Sequence, residues 1–195
     1  MEQQLIELNN LHKKIKLIKG NHENTMIKLN YEVFRTINGY EKYEVSNLGN
    51  IRNKLTTQLL KPCNTGKGYL SVSLLKNKKA KTMRVHRLVA FAFLDNPLNK
   101  PFIDHIDNQR TNNNLNNLRW VTNQENQFNS KICKINTSNF KGVSWHKRDK
   151  RWTAQIKFNG KKIHLGNFIT KDEAKNARQF KAKQLYGEFM NKCEL

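Results

Sequence analysis

The spacing of apolar residues changes several times along the chain, and each change predicts a different element. Leu5, Leu8, Leu11, Ile15 and Ile18 recur at intervals of three and four, one stripe of a helix that Gly20-Asn21 would end. From Tyr31 the rhythm shortens. Residues 32–35, 43–46, 50–52, 69–74 and 82–85 are rich in β-formers and are separated by Asn-Gly, Leu-Gly-Asn and Gly-Lys-Gly turns, which predicts short strands. Residues 86–94 read as a buried helix, stopped by Asp95-Asn96-Pro97 because the residue before a proline is pushed out of the helical region.

Residues 102–107 predict a strand that delivers the adjacent pair Asp104-His105. A polar loop, 108–114, cannot pack, and 115–121 returns as a second strand. Thr122 and Glu125 form a capping box, so a helix begins at Asn123 and carries Asn126 in its first turn. Further on, 140–143, 151–156 and 161–168 read as three strands. Trp152, Ala154 and Ile156 alternate with Arg151, Thr153, Gln155 and Lys157, as in a half-exposed strand. Thr170 and Glu173 form a second capping box, and Ala174, Ala177 and Leu185 mark the packing face of a helix ending near Gly187. The expected fold class is α+β in several modules: a small β-rich module, a ββα core, and a three-stranded sheet with one helix.

Charge narrows the partner. The chain has 195 residues, with 36 Lys and Arg against 15 Asp and Glu, a net charge of +21 and a pI near 10.1. That excess points to a polyanion. Lys outnumbers Arg 27 to 9 and there are 28 Asn, a bias that AT-rich coding also produces. The scarcity of acids is not explained that way. By segment the charge is +2 for residues 1–30, +7 for 31–82, +3 for 83–135 and +9 for 136–195. Two basic blocks therefore flank a middle that holds Asp104 and Asp107. Met1-Glu2-Gln3-Gln4 lacks the basic, apolar start of a signal peptide, and no apolar run spans a membrane, so an intracellular protein with no membrane partner is expected. The three cysteines, Cys63, Cys133 and Cys193, lack zinc-ligand spacing, so no zinc is expected and no disulfide framework.

In the ββα unit, Asp104 and Asn126 offer hard oxygen ligands suited to Mg²⁺ or Mn²⁺, beside the positive end of a helix. His105 points to the opposite face of the strand, but a twisted strand end lets it reach an in-line water, and a neutral imidazole suits general-base work. His86 is a cap or a phosphate contact, Asp107 a turn residue, and Trp120 a core residue.

These residues carry a resemblance. His86-Arg87-Leu88-Val89-Ala90, Asn96-Pro97, Asp104-His105-Ile106-Asp107, Asn112-Asn113, Asn117-Leu118-Arg119-Trp120-Val121-Thr122 and Glu125-Asn126 resemble the HNH homing endonucleases. The motif steps 12 residues from His105 to Asn117 and 9 from Asn117 to Asn126. The resemblance implies His105 as general base, Asp104 and Asn126 on one divalent ion, Asn117 bracing the loop and orienting His105, and hydrolysis of DNA to 5′-phosphate and 3′-hydroxyl ends. Phe34–Tyr40, Tyr43–Arg52, Leu60-Lys61-Pro62 and Gly68-Tyr69 resemble the NUMOD-type module, with Arg52, Lys54, Lys61 and Lys67 as DNA contacts by charge alone. The C-terminal strands and helix resemble the Apetala/ethylene-response-factor DNA-binding domain. That resemblance offers Lys141, Trp145, Lys147, Arg151, Trp152, Gln155, Lys157, Lys162 and His164 as contacts, with core packing the other role open to the tryptophans. Lysines replace many of that family's arginines and lose the bidentate fork.

The expectation is therefore a metal-dependent HNH endonuclease of homing or nicking type from a mobile element, acting on double-stranded DNA, with a monomer slightly favoured. Its segments are 1–30, an N-terminal helical extension; 31–82, NUMOD-type; 83–135, nuclease; and 136–190, Apetala/ethylene-response-factor-type. The rival reading is a catalytically degenerate, sequence-specific DNA-binding regulator.

Overall fold

The structure, a computed structural model, describes residues 31–133 and 135–194; the predicted helical stripe before Asn30 lies outside them. Strands β1 (Phe34–Ile37), β2 (Tyr40–Ser46) and β3 (Ile51–Asn53) form an antiparallel meander in which Val45 lies opposite Ile51. A second antiparallel sheet holds β4 (Cys63–Thr65), β5 (Tyr69–Lys76) and β6 (Lys79–Arg84). Its β5–β6 hairpin turns at Asn77-Lys78, both at positive φ, the backbone of a type I′ turn. No glycine marks that turn, so the hairpin is longer on both arms than the sequence predicts. The three-residue edge strand β4 has no sequence signal of its own.

Strand β6 runs directly into helix α1 (Val85–Phe93), one residue ahead of the predicted start. Val85, Leu88 and Val89 sit on one face of α1 and join Ile37, Val45, Ile51, Val72, Leu74 and Leu118 in a single buried cluster. Leu118 belongs to the ββα unit, so the expected boundary at 82/83 runs through one shared core.

The ββα unit consists of β7 (Phe102–His105), β8 (Leu118–Val121) and α2 (Asn123–Phe128). The returning arm expected over 115–121 opens instead as a 3₁₀ turn, Leu115–Asn117, because the Asn114 side-chain oxygen accepts the Asn116 N–H at 3.0 Å. Helix α2 starts as its capping box requires: Thr122 Oγ1 accepts from Glu125 N–H at 3.2 Å and Glu125 Oε2 accepts from Thr122 N–H at 2.7 Å.

The last sheet has the order β11 (Lys161–Phe168), β10 (Arg151–Phe158), β9 (Val143–His146), covered on one face by α3 (Lys171–Tyr186). The buried line of α3 is Ala174, Arg178, Ala182 and Tyr186, every fourth residue, while Ala177 and Leu185 are half-buried. Arg178 tolerates burial because its Nη1 meets Glu194 Oε2 at 2.6 Å. Phe128 of α2 stacks on Tyr186, ring centroids 3.7 Å apart, and ties the ββα unit to this sheet. The fold is thus α+β, in small sheets with few helices. None of its described helices is long and apolar enough to cross a membrane.

Candidate active site

Antiparallel pairing of β7 with β8 sets Asp104 opposite Arg119 and His105 opposite Leu118. With α2 packed behind, Asp104, His105 and Asn126 line one cleft of about 510 Å³, beside Asn108, Gln127 and Ser130. Arg110 and Lys131, both exposed, supply its basic rim.

Asp104 is buried and charge-paired. Arg119 donates to its Oδ2 from Nε at 3.0 Å and from Nη2 at 2.9 Å. Asn129 donates from Nδ2 to Oδ2 at 2.9 Å and to Oδ1 at 3.1 Å. Oδ2 is therefore saturated, and Oδ1 keeps a lone pair for another partner.

His105 is 5% exposed. Its Nε2 lies 3.2 Å from Asn113 Oδ1, a contact that the Nε2–H tautomer satisfies by donation. Burial holds the His105 pKa below the ordinary histidine value, opposed by the Asn113 bond and by the Asp107 and Asp104 charges. The His86 ring stands 5.1 Å away and the Tyr69 ring 6.0 Å away.

Asn117 braces the intervening loop. Its Oδ1 accepts the Asp107 N–H at 3.0 Å, and its Nδ2 donates to Asp107 Oδ1 at 2.9 Å and to Asn112 O at 2.8 Å. Asn113, not Asn117, touches the His105 ring. Asp107 is the turn residue expected: burial opposes its ionisation, but donors from Gln109, Asn112 and Asn117 outweigh that and hold its carboxyl below the ordinary value.

Three further residues serve the site without a sequence signal that singles them out. Asn113 and Asn129 are two of 28 asparagines. Arg119 is legible only once the strand register is known, as the opposite charge across from Asp104.

His86 is corrected. It is 4% exposed and has no surface to offer a phosphate. Burial, with the His105, Arg84 and Arg87 charges, lowers its pKa to about 3.

The expected DNA contacts separate by position. Paired residues on neighbouring strands share a face, so Trp145 opposite Trp152 lies on the same side as Val143 opposite Ala154, the side that α3 covers. Trp152 packs into that core, with Lys171 Nζ 5.6 Å from its ring, and Trp145 sits exposed at the margin. Neither tryptophan stands on the outer face. Lys141 is also removed from it: its Nζ donates to Glu194 Oε1 at 3.0 Å and to Phe128 O at 3.2 Å. Arg151, Gln155, Lys157, Lys162 and His164 do lie on the outer face, and Lys147 is in the adjoining turn. In the N-terminal sheet Arg52 is engaged by Glu44 at 2.8 Å and stacks over Phe34, whereas Lys54, Lys61 and Lys67 are exposed.

The donor set fits one hard, divalent ion held loosely. Asp104 and Asn126 line the same cleft, and such an ion would take its other ligands from water and substrate phosphate. Among the described residues no three His, Cys, Asp or Glu side chains converge as a metal cluster, so a closed protein-only cage is not what these residues build.

Two segments of the chain are similar to known families. Residues 32–74 match the NUMOD4 motif and residues 84–128 match the HNH endonuclease family. The chain thus carries one segment similar to the HNH endonuclease family and, before it, one similar to the NUMOD4 motif. DNA endonuclease I-HmuI of Bacillus phage SP01 is 40% identical over 99 residues, 49% of this chain and 57% of that protein. Two uncharacterized HNH endonucleases of Acanthamoeba polyphaga mimivirus are 40% and 45% identical over 86 and 93 residues, 44% and 46% of this chain. The chain spans only 26% and 23% of those two relatives. A solved structure of DNA binding and cleavage by the HNH homing endonuclease I-HmuI aligns at TM-score 0.45 and 36% identity, over 51% of this chain and 62% of that one.

Proposed function

We propose that this chain hydrolyses phosphodiester bonds of double-stranded DNA as an HNH endonuclease of homing or nicking type. The observation that carries the reading is the meeting of Asp104, His105 and Asn126 in one basic-rimmed cleft. Asn113 occupies His105 Nε2–H, which leaves Nδ1 as the nitrogen with a free lone pair. His105 takes a proton from the attacking water there. The water oxygen bonds to phosphorus, the bond from phosphorus to O3′ breaks, and O3′ leaves with a proton from solvent, giving 5′-phosphate and 3′-hydroxyl ends. Asp104 and Asn126 would hold Mg²⁺ or Mn²⁺, which would supply Lewis-acid stabilisation of the charge on the phosphoryl oxygens. Asn117 keeps the loop closed beneath His105, and Arg110 and Lys131 hold neighbouring phosphates.

We read the chain as a NUMOD-type module over 31–82, a nuclease over 83–135 and an Apetala/ethylene-response-factor-type DNA-binding module over 136–190. A three-stranded sheet backed by one helix supports the last of these, with Arg151, Gln155, Lys157, Lys162 and His164 on its open face. The decisive experiment is incubation with supercoiled plasmid and Mg²⁺ or Mn²⁺, with and without chelator. Metal-dependent nicked or linear product is expected, reduced on the order of 100-fold or more in His105→Ala. Absence of metal-dependent cutting, or wild-type cutting by His105→Ala, overturns the catalytic reading in favour of a DNA-binding regulator.

A further inference from the structure

The amide of Asn129 is oriented from its oxygen side. Asn129 Oδ1 accepts from Asn108 Nδ2 at 3.1 Å and from Asn191 Nδ2 at 3.0 Å. Its Nδ2 must then face the other way, where it donates to both oxygens of Asp104 and to the carbonyls of His105 and, more distantly, Ile106. A flipped amide would set an oxygen against a carboxylate and lose every one of these bonds.

One of the two donors that fix this orientation comes from far along the chain. Asn191 lies in the segment that follows α3, is 4% exposed, and also donates to the Asn129 carbonyl. The same segment reaches Asp104 by a second route. Arg119 holds Asp104 with Nε and Nη2 while its Nη1 donates to Glu188 O at 2.8 Å, and its guanidinium lies 4.5 Å from the Phe189 ring centre. The segment is itself pinned by Glu194, buried between Lys141 and Arg178.

We infer that Asn191 is a positioning residue for Asp104, acting through Asn129, so that the segment after α3 sets the carboxylate that takes the divalent ion. The inference rests on the reading of Asp104 as an ion ligand. Hydrogen-bond partners one step removed from a ligand tune ion affinity by 10–100-fold.

The test uses Asn191→Asp in the full chain. Asp retains the acceptor that caps Cys193 N–H at 2.9 Å but cannot donate to Asn129. Mn²⁺ is titrated into the DNA-free chain, and paramagnetic broadening of the His105 ring proton gives the midpoint. A midpoint raised about 10-fold or more is expected, together with cutting that tenfold more Mn²⁺ restores. An unchanged midpoint, or a cutting defect that excess Mn²⁺ does not restore in a variant whose urea unfolding midpoint matches the wild type, overturns the positioning role; if Asn191→Asp does not fold, Asn191→Ser is read the same way. If the wild-type chain shows no broadening at His105, the underlying assignment of Asp104 fails instead.

Discussion

Gly49 packs directly against Asn113, the residue that meets His105. At φ +90° a Cβ built on Gly49 would come within 2.8 Å of Asn113 Cβ. Nearby, Leu115 N–H donates to Asn47 O at 2.7 Å. The turn after β2 is therefore part of the wall behind His105. Gly49→Ala should cost about 1–3 kcal/mol of stability from the left-handed backbone. Displacing Asn113 should also slow single-turnover cutting by ~10-fold or more. DNA affinity in chelator should stay within about twofold, since no phosphate-binding side chain moves. A wild-type cutting rate in Gly49→Ala would show that Asn113 does not position His105.

Asn117 closes the loop with three hydrogen bonds, two of them to Asp107. Asn117→Ala leaves the Asp107 N–H without its acceptor and should lower unfolding free energy by about 1–3 kcal/mol. Urea titration measures it, as a lower midpoint at unchanged slope. The Asp107 carboxyl should also move back up toward the ordinary value, since one of its three donors is gone.

His86 makes stability depend on pH with a definite sign. Its folded pKa of about 3 lies below the unfolded value of 6.5, so the unfolded chain binds the extra proton between those limits. Stability is complete above pH 6.5 and falls as pH drops toward 3. Thermal unfolding from pH 7.5 to 4.5 should show a steeper loss for the wild type than for His86→Gln. Parallel curves would place the acid sensitivity elsewhere.

The outer face and the interior of the C-terminal sheet should respond differently to alanine. Lys157→Ala, on the open face, should weaken DNA binding and reduce the slope of log affinity against log salt by about 0.9 for each phosphate that is no longer neutralised. Lys141→Ala should leave the slope alone and instead cost stability of about 1–3 kcal/mol, because it abandons Glu194 and the Phe128 carbonyl. A reduced salt slope for Lys141→Ala would return that lysine to the interface.

What the sequence reveals and conceals follows from the range of the interactions. The Thr122–Glu125 and Thr170–Glu173 capping boxes span three residues each, and both helices begin where those pairs require. The Asp104-His105 pair says little alone and stands out in the sequence only together with Asn117 and Asn126, 12 and then 9 residues further on. The alternation along β10 separates Ala154 and Ile156 from Lys157. Asn191 and Asn129, by contrast, stand 62 residues apart and are of the commonest polar type in this chain. Lys141 looks like any basic residue until Glu194 is found 53 positions away. His86 follows an arginine-valine pair and precedes another arginine, which suggests a surface, yet the turn of α1 carries it inward beside Tyr69 at 5.0 Å. Register and helix phase decided these cases, and neither is written in local spacing.

All three tryptophans stand away from the open face of the C-terminal sheet. Trp120 donates to Leu94 O at 3.3 Å and packs edge-on against Phe91, while Trp145 and Trp152 share the side that α3 covers. Intrinsic emission of this protein is therefore a reporter of packing and a poor reporter of occupancy. Unfolding should shift the emission of the half-buried Trp120 and Trp152 to the red, and that of the exposed Trp145 less. A saturating duplex should leave the emission almost unchanged, so a silent fluorescence titration would be no sign of a failed complex.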